Sequence, residues 1–185
     1  MNIYLVTQNK GKVMAAQSAF DNTTVTLLPV ERDYPEIQAD TSIEIAHYTA
    51  LQACKDYNAP AIREDHSLYI NALGVPGPYM SFFDKRISAE ILLKLLESYK
   101  DRTGYFEVAT AYAEPNGKVD EFVFQVPIRF ATEERGTLQS GWNRIIMLEG
   151  ETRTFAEYPE AERTGIWNKN YLAIAAKLTS SPKFV

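Results

Sequence analysis

Two groups of residues in this chain could do chemistry together. The first is Thr7-Gln8-Asn9-Lys10-Gly11-Lys12, a polar segment with lysines on either side of a glycine. It follows the apolar run Asn2–Val6 and precedes Val13–Phe20, so it reads as a turn from a buried strand into a helix. The first turn of a helix leaves backbone N–H groups without intrahelical acceptors, and its dipole favours negative charge. Lys10 and Lys12 add full positive charge, and Gly11 lets a ligand come close to the main chain. The natural guest is a phosphate. The second group is acidic: Glu36, behind Pro35 in a loop, and the adjacent pair Glu64-Asp65. Two or three convergent carboxylate oxygens, completed by water and phosphate, suit Mg²⁺. A metal held in this way lowers the charge of phosphates and helps to activate water. An uncoordinated carboxylate nearby can act as general base.

Each group alone has a plainer reading. The basic turn lacks the longer glycine-rich run of a P-loop, and polar turns with solvated lysines recur throughout α/β folds. The acids belong to a set of 24 in the chain, and carboxylates are mostly surface residues. A nucleotide site needs both signs of charge, so the combination makes the stronger case.

The elements that must position these residues follow from the pattern. Thr24–Val30 reads as a second strand and Glu31–Asp40 as a polar loop. Thr41-Ser42-Ile43-Glu44 has capping-box spacing and starts a helix to about Tyr57. Ala61–Arg63 reads as a short strand with Glu64-Asp65 at its end, where α/β sheets place their chemistry. Neighbours on an extended strand point to opposite faces, so one acid of the pair can face a cleft. Leu68–Leu73 alternates like another short strand, and Gly74–Tyr79 is a stiff loop. Ser88–Ser98 is an amphipathic helix with Ile91, Leu92, Leu95 and Leu96 on one face. Gly104–Ala113 and Val119–Phe130 read as strands joined at Asn116-Gly117, a hairpin signal. A loop carries Gly136 to Gly150, Asn170–Leu178 is the last helix, and Ser180–Val185 is a tail. The result is an α/β fold with a mixed sheet, as one domain over residues 1–185, with no repeat or linker.

Composition narrows the partners. The 24 acidic residues outnumber 19 basic ones, for a net charge of −5. That balance argues against a nucleic-acid polymer as partner. Cys54 is the only cysteine, so no internal disulfide or cysteine-rich zinc site can form. Its helical setting suggests a small core residue. No apolar run approaches a membrane span, and the N-terminus lacks the order of a signal peptide. A cytoplasmic protein with no membrane partner is expected. His47 and His66 lack metal-ligand spacing.

The motifs occur in a familiar order. Thr7-Gln8-Asn9-Lys10-Gly11-Lys12, Pro35-Glu36-Ile37-Gln38, Glu64-Asp65-His66-Ser67-Leu68, Asn71–Tyr79 and Thr154-Phe155-Ala156-Glu157 cover almost the whole chain. Together they resemble the inosine triphosphate pyrophosphatase family of house-cleaning enzymes. The resemblance implies an elongated mixed sheet with flanking helices, two lobes around a central cleft, and a homodimer. It implies Mg²⁺-dependent attack of water on the α-phosphate of a nucleoside triphosphate, releasing the monophosphate and pyrophosphate. Thr7, Asn9, Lys10 and Lys12 would hold phosphates. Glu36 and Asp65 would serve the metal, with Glu64 a further ligand, and Asp65 would activate water.

The departures cluster where base and phosphate are read. His47-Tyr48-Thr49 and Ser81 replace family lysines. Ser140-Gly141-Trp142-Asn143-Arg144 stands where the base-reading block Phe-Gly-[Tyr/Trp]-Asp-Pro is found, so Gly141, Trp142 and Asn143 are the candidate base contacts, with Trp142 stacking on the base. Trp167-Asn168-Lys169 replaces Ser-His-Arg, leaving Asn168 and Lys169 as candidate substrate contacts and Trp167 as a packing residue. Arg163 replaces a family lysine. An Asn donates as well as accepts where an Asp only accepts, and a lysine offers a point charge where an arginine offers a fork. Hydrolysis with a shifted base preference is therefore expected; the alternative is an inactive relative that binds a nucleotide or a protein.

Overall fold

The structure, a computed structural model, describes residues 1–180. The expected tail after Ser180 lies outside the described residues. The chain is mixed α/β, and the described part divides into two compact units. The first holds residues 1–65, 108–124 and 164–180; the second holds 66–107 and 125–163.

In the first unit, β1 (Asn2–Val6) lies between β2 (Thr26–Val30) and β3 (Ala61–Ile70) and runs parallel to both. The sheet continues from β3 to β5 (Thr103–Ala113) and β6 (Val119–Phe130). Side chains alternate along each strand, and the two faces are covered by different helices. Ile3, Leu5, Ile62 and Tyr112 pack with α1 (Lys10–Phe20) and α6 (Lys169–Ser180) through Ala15, Ala16, Phe20, Tyr171 and Ile174. Val6, Ala61, Ala111 and Ala113 pack with α2 (Ser42–Tyr57) through Ala46, Ala50, Ala53 and Cys54. Burying each Ile or Leu side chain here contributes about 1.5–3 kcal/mol. The capping box of α2 forms as expected: Thr41 Oγ1 accepts from the Glu44 N–H and the Glu44 carboxylate accepts from the Thr41 N–H. Asn58 closes the helix in the left-handed region, at φ 47°.

In the second unit, the far half of β3 pairs antiparallel with β4 (Val75–Gly77), and β6 pairs antiparallel with β7 (Ile146–Leu148). Gly104 permits the close approach of β5 to β3; a Cβ there would sit 2.4 Å from the Tyr69 carbonyl oxygen. Helices α3 (Met80–Asp84) and α4 (Ala89–Leu96) follow β4, and α5 (Thr164–Trp167) precedes α6 in the first unit.

Several expectations are corrected. β3 is one ten-residue strand, not two short ones, so Glu64-Asp65 lies mid-strand. Its polar stretch from Arg63 to Ser67 looked like a break, yet Glu64 and Ser67 are buried within it. β2 starts two residues later than expected and α1 three residues earlier, because Asn9 caps that helix. Of the four apolar residues expected on one face of α4, Leu92 and Leu96 are buried, whereas Ile91 and Leu95 are each 48% exposed. The stretch from Gly136 to Gly150 contains a 3₁₀ turn, Gly141–Arg144, and the short strand β7. The described tail residue Ser180 belongs to α6.

Candidate active site

The basic turn is built by local hydrogen bonds. Thr7 is buried, and its Oγ1 accepts from the Asn9 N–H at 3.1 Å. Asn9 is the N-cap of α1, with Oδ1 accepting from the Lys12 N–H at 3.1 Å. Lys10, Gly11 and Lys12 therefore form the first turn of the helix, where amides lack intrahelical acceptors. The two lysines part company. Lys10 is exposed, whereas Lys12 is half-buried, and its Nζ donates to the Glu64 main-chain oxygen at 3.0 Å. Burial pulls the Lys12 ammonium below its ordinary value, and the carboxylates of Glu64 and Asp65 pull it back up.

The acids also differ from one another. Glu64 is only 1% exposed. Its Oε2 accepts from Thr110 Oγ1 at 3.4 Å, and Thr110 Oγ1 in turn accepts from Asn170 Nδ2 at 3.0 Å. Asn170 Nδ2 also donates to the carbonyls of Val108 and Phe122. Tyr171 is fully buried beside this group; burial, then the charge of Glu64, push its phenol well above the ordinary value. Glu64 thus faces the α6 side of the sheet, and the alternation of β3 puts Asp65 on the same face as Arg63. Asp65 is half-buried. Glu36 is 72% exposed at its side chain and pairs with Arg63 Nη2 at 3.1 Å. Arg63 Nη1 donates to the Val6 carbonyl at 3.3 Å, at the end of β1.

Among the described residues, no three of His, Cys, Asp and Glu converge as a metal cluster. Glu36, Glu64 and Asp65 do not form a ready-made triad, because Glu64 is turned to Thr110 and Glu36 to Arg63. The remaining donor chemistry still fits Mg²⁺, which takes hard oxygen ligands and commonly uses one or two carboxylates with substrate phosphates and water. Glu36 and Asp65 are the acids that fit that role.

The model of the Ham1 family matches residues 3–173. The chain belongs to the Ham1 family. It is 36% identical over 167 residues to a "dITP/XTP pyrophosphatase" of Methanopyrus kandleri, covering 90% of this chain and 89% of that one. A protein of the same name from Thermococcus kodakarensis is also 36% identical over 167 residues, covering 90% of each. A solved Ham1 protein of Coxiella burnetii is 25% identical with a TM-score of 0.79, covering 98% of this chain and 100% of that chain.

Within this Ham1 chain, the remaining predicted contacts have these surroundings. Asn168 Nδ2 donates to Ser18 Oγ at 3.1 Å, and Lys169 is exposed with its ammonium 5.2 Å from the centre of the Phe124 ring. Trp167 packs against the α1–α6 core, as expected. In the second unit Gly141 sits at φ 61°, and a Cβ there would lie 2.6 Å from Asp84 Oδ1. That carboxylate accepts from the Trp142 N–H at 2.9 Å, and Trp142 Nε1 donates to the Ile87 carbonyl at 2.8 Å. Trp142 is 3% exposed, so the expected stacking platform is an interior anchor with no open ring face. Asn143 donates to the Ser140 carbonyl at 3.3 Å. Arg163 is buried, with its guanidinium 4.4 Å from the Phe155 ring centre. That stacking fixes it within the second unit. Tyr79 and Phe82 are 43% and 53% exposed. The residues that sequence reasoning missed are Arg63, Thr110, Asn170 and Tyr171. The signal available for Arg63 was a lone cation after the apolar pair Ala61-Ile62. Nothing local marked the other three.

Proposed function

We propose that this chain is a Mg²⁺-dependent nucleoside triphosphate pyrophosphatase that releases a nucleoside monophosphate and pyrophosphate. One observation carries the reading: Lys12, on the first turn of a helix, is bonded to the strand that bears Glu64 and Asp65. A cation for phosphate and acids for a metal thus stand on adjoining elements. The names of the relatives that are 36% identical support the same chemistry.

In this reading the α1 amides, Thr7, Asn9, Lys10 and Lys12 bind the phosphate oxygens. Glu36 and Asp65 would hold Mg²⁺, which would supply charge neutralisation on the polyphosphate. Asp65 accepts a proton from the water that attacks the α-phosphorus. The water–phosphorus bond forms as the bond to the bridging oxygen breaks, and pyrophosphate leaves with that oxygen. Glu64 keeps Lys12 and the strand in register from the interior. Asn168 and Lys169 are retained in this reading as further substrate contacts. A base preference shifted from inosine and xanthosine is part of the proposal, supported by the interior roles taken by Trp142 and Arg163. A homodimer is also part of it, supported by exposed Ile91 and Leu95 on α4.

The test is product analysis over common and deaminated triphosphates with Mg²⁺, comparing the parent with Asp65→Asn. Monophosphate plus pyrophosphate from the parent, and loss of both in the variant, is expected. Absence of pyrophosphate release from every triphosphate would leave the chain a binding protein, and inosine or xanthosine triphosphate as clearly the best substrate would remove the specificity shift.

A further inference from the structure

Arg63 occupies an unusual position for a cation. It stands on a central strand of the first unit with its side chain only 16% exposed. Nη1 is bonded to the carbonyl of Val6, the residue before the Thr7–Lys12 turn, and Nη2 is bonded to Glu36. Nε is buried without a hydrogen-bond acceptor. The guanidinium shares its strand face with Asp65, and the Lys12 ammonium is bonded to the main chain of the next residue on the strand, Glu64. Two cations are therefore crowded together, although like charges repel. Their neighbours Glu36, Glu64 and Asp65 offset that repulsion in the free protein. A solubility role does not account for a mostly buried arginine, and a purely structural one leaves the second cation beside Lys12 without a purpose.

We propose that Arg63 is a further substrate-binding residue: its guanidinium rests on Glu36 in the free protein and turns to the polyphosphate when a metal-bound triphosphate arrives. The partner makes the exchange feasible, because the Glu36 carboxylate is 72% exposed and stays solvated when the guanidinium leaves it. Once Glu36 serves a divalent cation, its pull on Arg63 falls. The polyphosphate then offers oxygens in the spacing that an arginine fork matches. Glu36 thus has one partner in the free state and another in the bound state, and Arg63 links the two. The inference rests on the pyrophosphatase reading for its ligand.

The test uses inorganic triphosphate as probe, with Mg²⁺, measured by titration calorimetry on the full chain. Arg63→Met removes the charge while filling the space; Arg63→Lys keeps a charge and removes the fork. Loss of a charged, bidentate contact predicts affinity about tenfold weaker for Arg63→Met, with Arg63→Lys between it and the parent. With nucleotide, KM should rise by a similar factor and kcat should change less. Thermal melting establishes that each variant is folded. A folded Arg63→Met that binds inorganic triphosphate as tightly as the parent overturns the proposal and leaves Arg63 a structural tie. If Arg63→Met does not fold, parental affinity in Arg63→Lys overturns it instead. The pyrophosphatase reading fails separately: a parent that binds inorganic triphosphate but splits no nucleotide refutes hydrolysis without touching the role of Arg63.

Discussion

The Lys12 ammonium donates to the Glu64 main-chain oxygen at 3.0 Å, which ties the first turn of α1 to the middle of β3. The two groups that the sequence marks as chemical, the basic turn and the acidic pair, are joined by this bond. It also separates the lysines. Lys12 is fixed and half-buried, and Lys10 is exposed.

Lys12→Met should lower kcat/KM by about 100-fold, the scale seen when one preorganised donor to developing negative charge is removed. Stability should hold or rise, because burial disfavours the ammonium that the substitution removes. Steady-state kinetics beside thermal melting checks both halves. A stability loss with unchanged kinetics would make Lys12 a structural residue.

Thr110→Val should destabilise the fold by about 1 kcal/mol, since it withdraws a hydroxyl donor from the buried Glu64 carboxylate. Asn170→Ala should cost more, about 2–3 kcal/mol, because one side-chain amide serves Thr110 and the Val108 and Phe122 carbonyls. Urea unfolding midpoints give the comparison. The reverse order would mean that the Asn170 bonds are not what holds this region.

Trp142→Phe keeps most of the buried ring and loses the bond to the Ile87 carbonyl. The expected change is about 1–2 kcal/mol of stability, with the ratio of KM values across different bases unaltered. A changed base ranking with intact stability would restore Trp142 to the substrate.

Tyr34 and Tyr112 predict alkaline sensitivity. Burial, then the hydrogen bond to Asp56, pushes Tyr34 up to about 12. Burial, then the charges of Glu114 and Asp120, does the same for Tyr112. The ordinary phenol value is 10.0. Between about 10 and about 12 the folded state holds protons that the unfolded chain releases. The associated stability is therefore complete below the lower value and is lost as pH rises through the window. Unfolding midpoints across that range should fall with pH, and replacing both tyrosines by Phe should flatten the decline. Phenolate absorbance of the native protein should show two late-ionising groups that the double variant lacks.

Local signals were legible where one residue type has one physical job. The capping box at Thr41 and Glu44 set the start of α2, and Gly117, at φ 87°, marks the turn between β5 and β6. Alternation correctly separated Glu64 from Asp65. It did not reveal that β3 continues past them, because polar residues in a strand look like a break unless their internal partners are known. Those partners, Thr110 on β5 and Asn170 on α6, are distant in sequence. Trp142 misled for the same reason: a block that resembles a base pocket says nothing of Asp84 and Ile87, which pull the indole inward. The face of α4 was half right, since periodicity groups Ile91 and Leu95 with Leu92 and Leu96 but cannot say how wide the covered stripe is.

The helix that carries Lys12 meets the sheet through Ala15 and Ala16, both at 0% exposure, with Ala19 nearly as covered. Methyl groups make a thin spacer, so at Ala15 and Ala16 the height of the helix above the strands is set close to backbone, while Phe20 fills the space farther along. A valine at Ala16 would act as a shim, tilting the amino end of the helix outward and lengthening the reach from Lys12 to Glu64. Enzymatic competence in this protein is thus sensitive to the size of side chains that never meet the substrate.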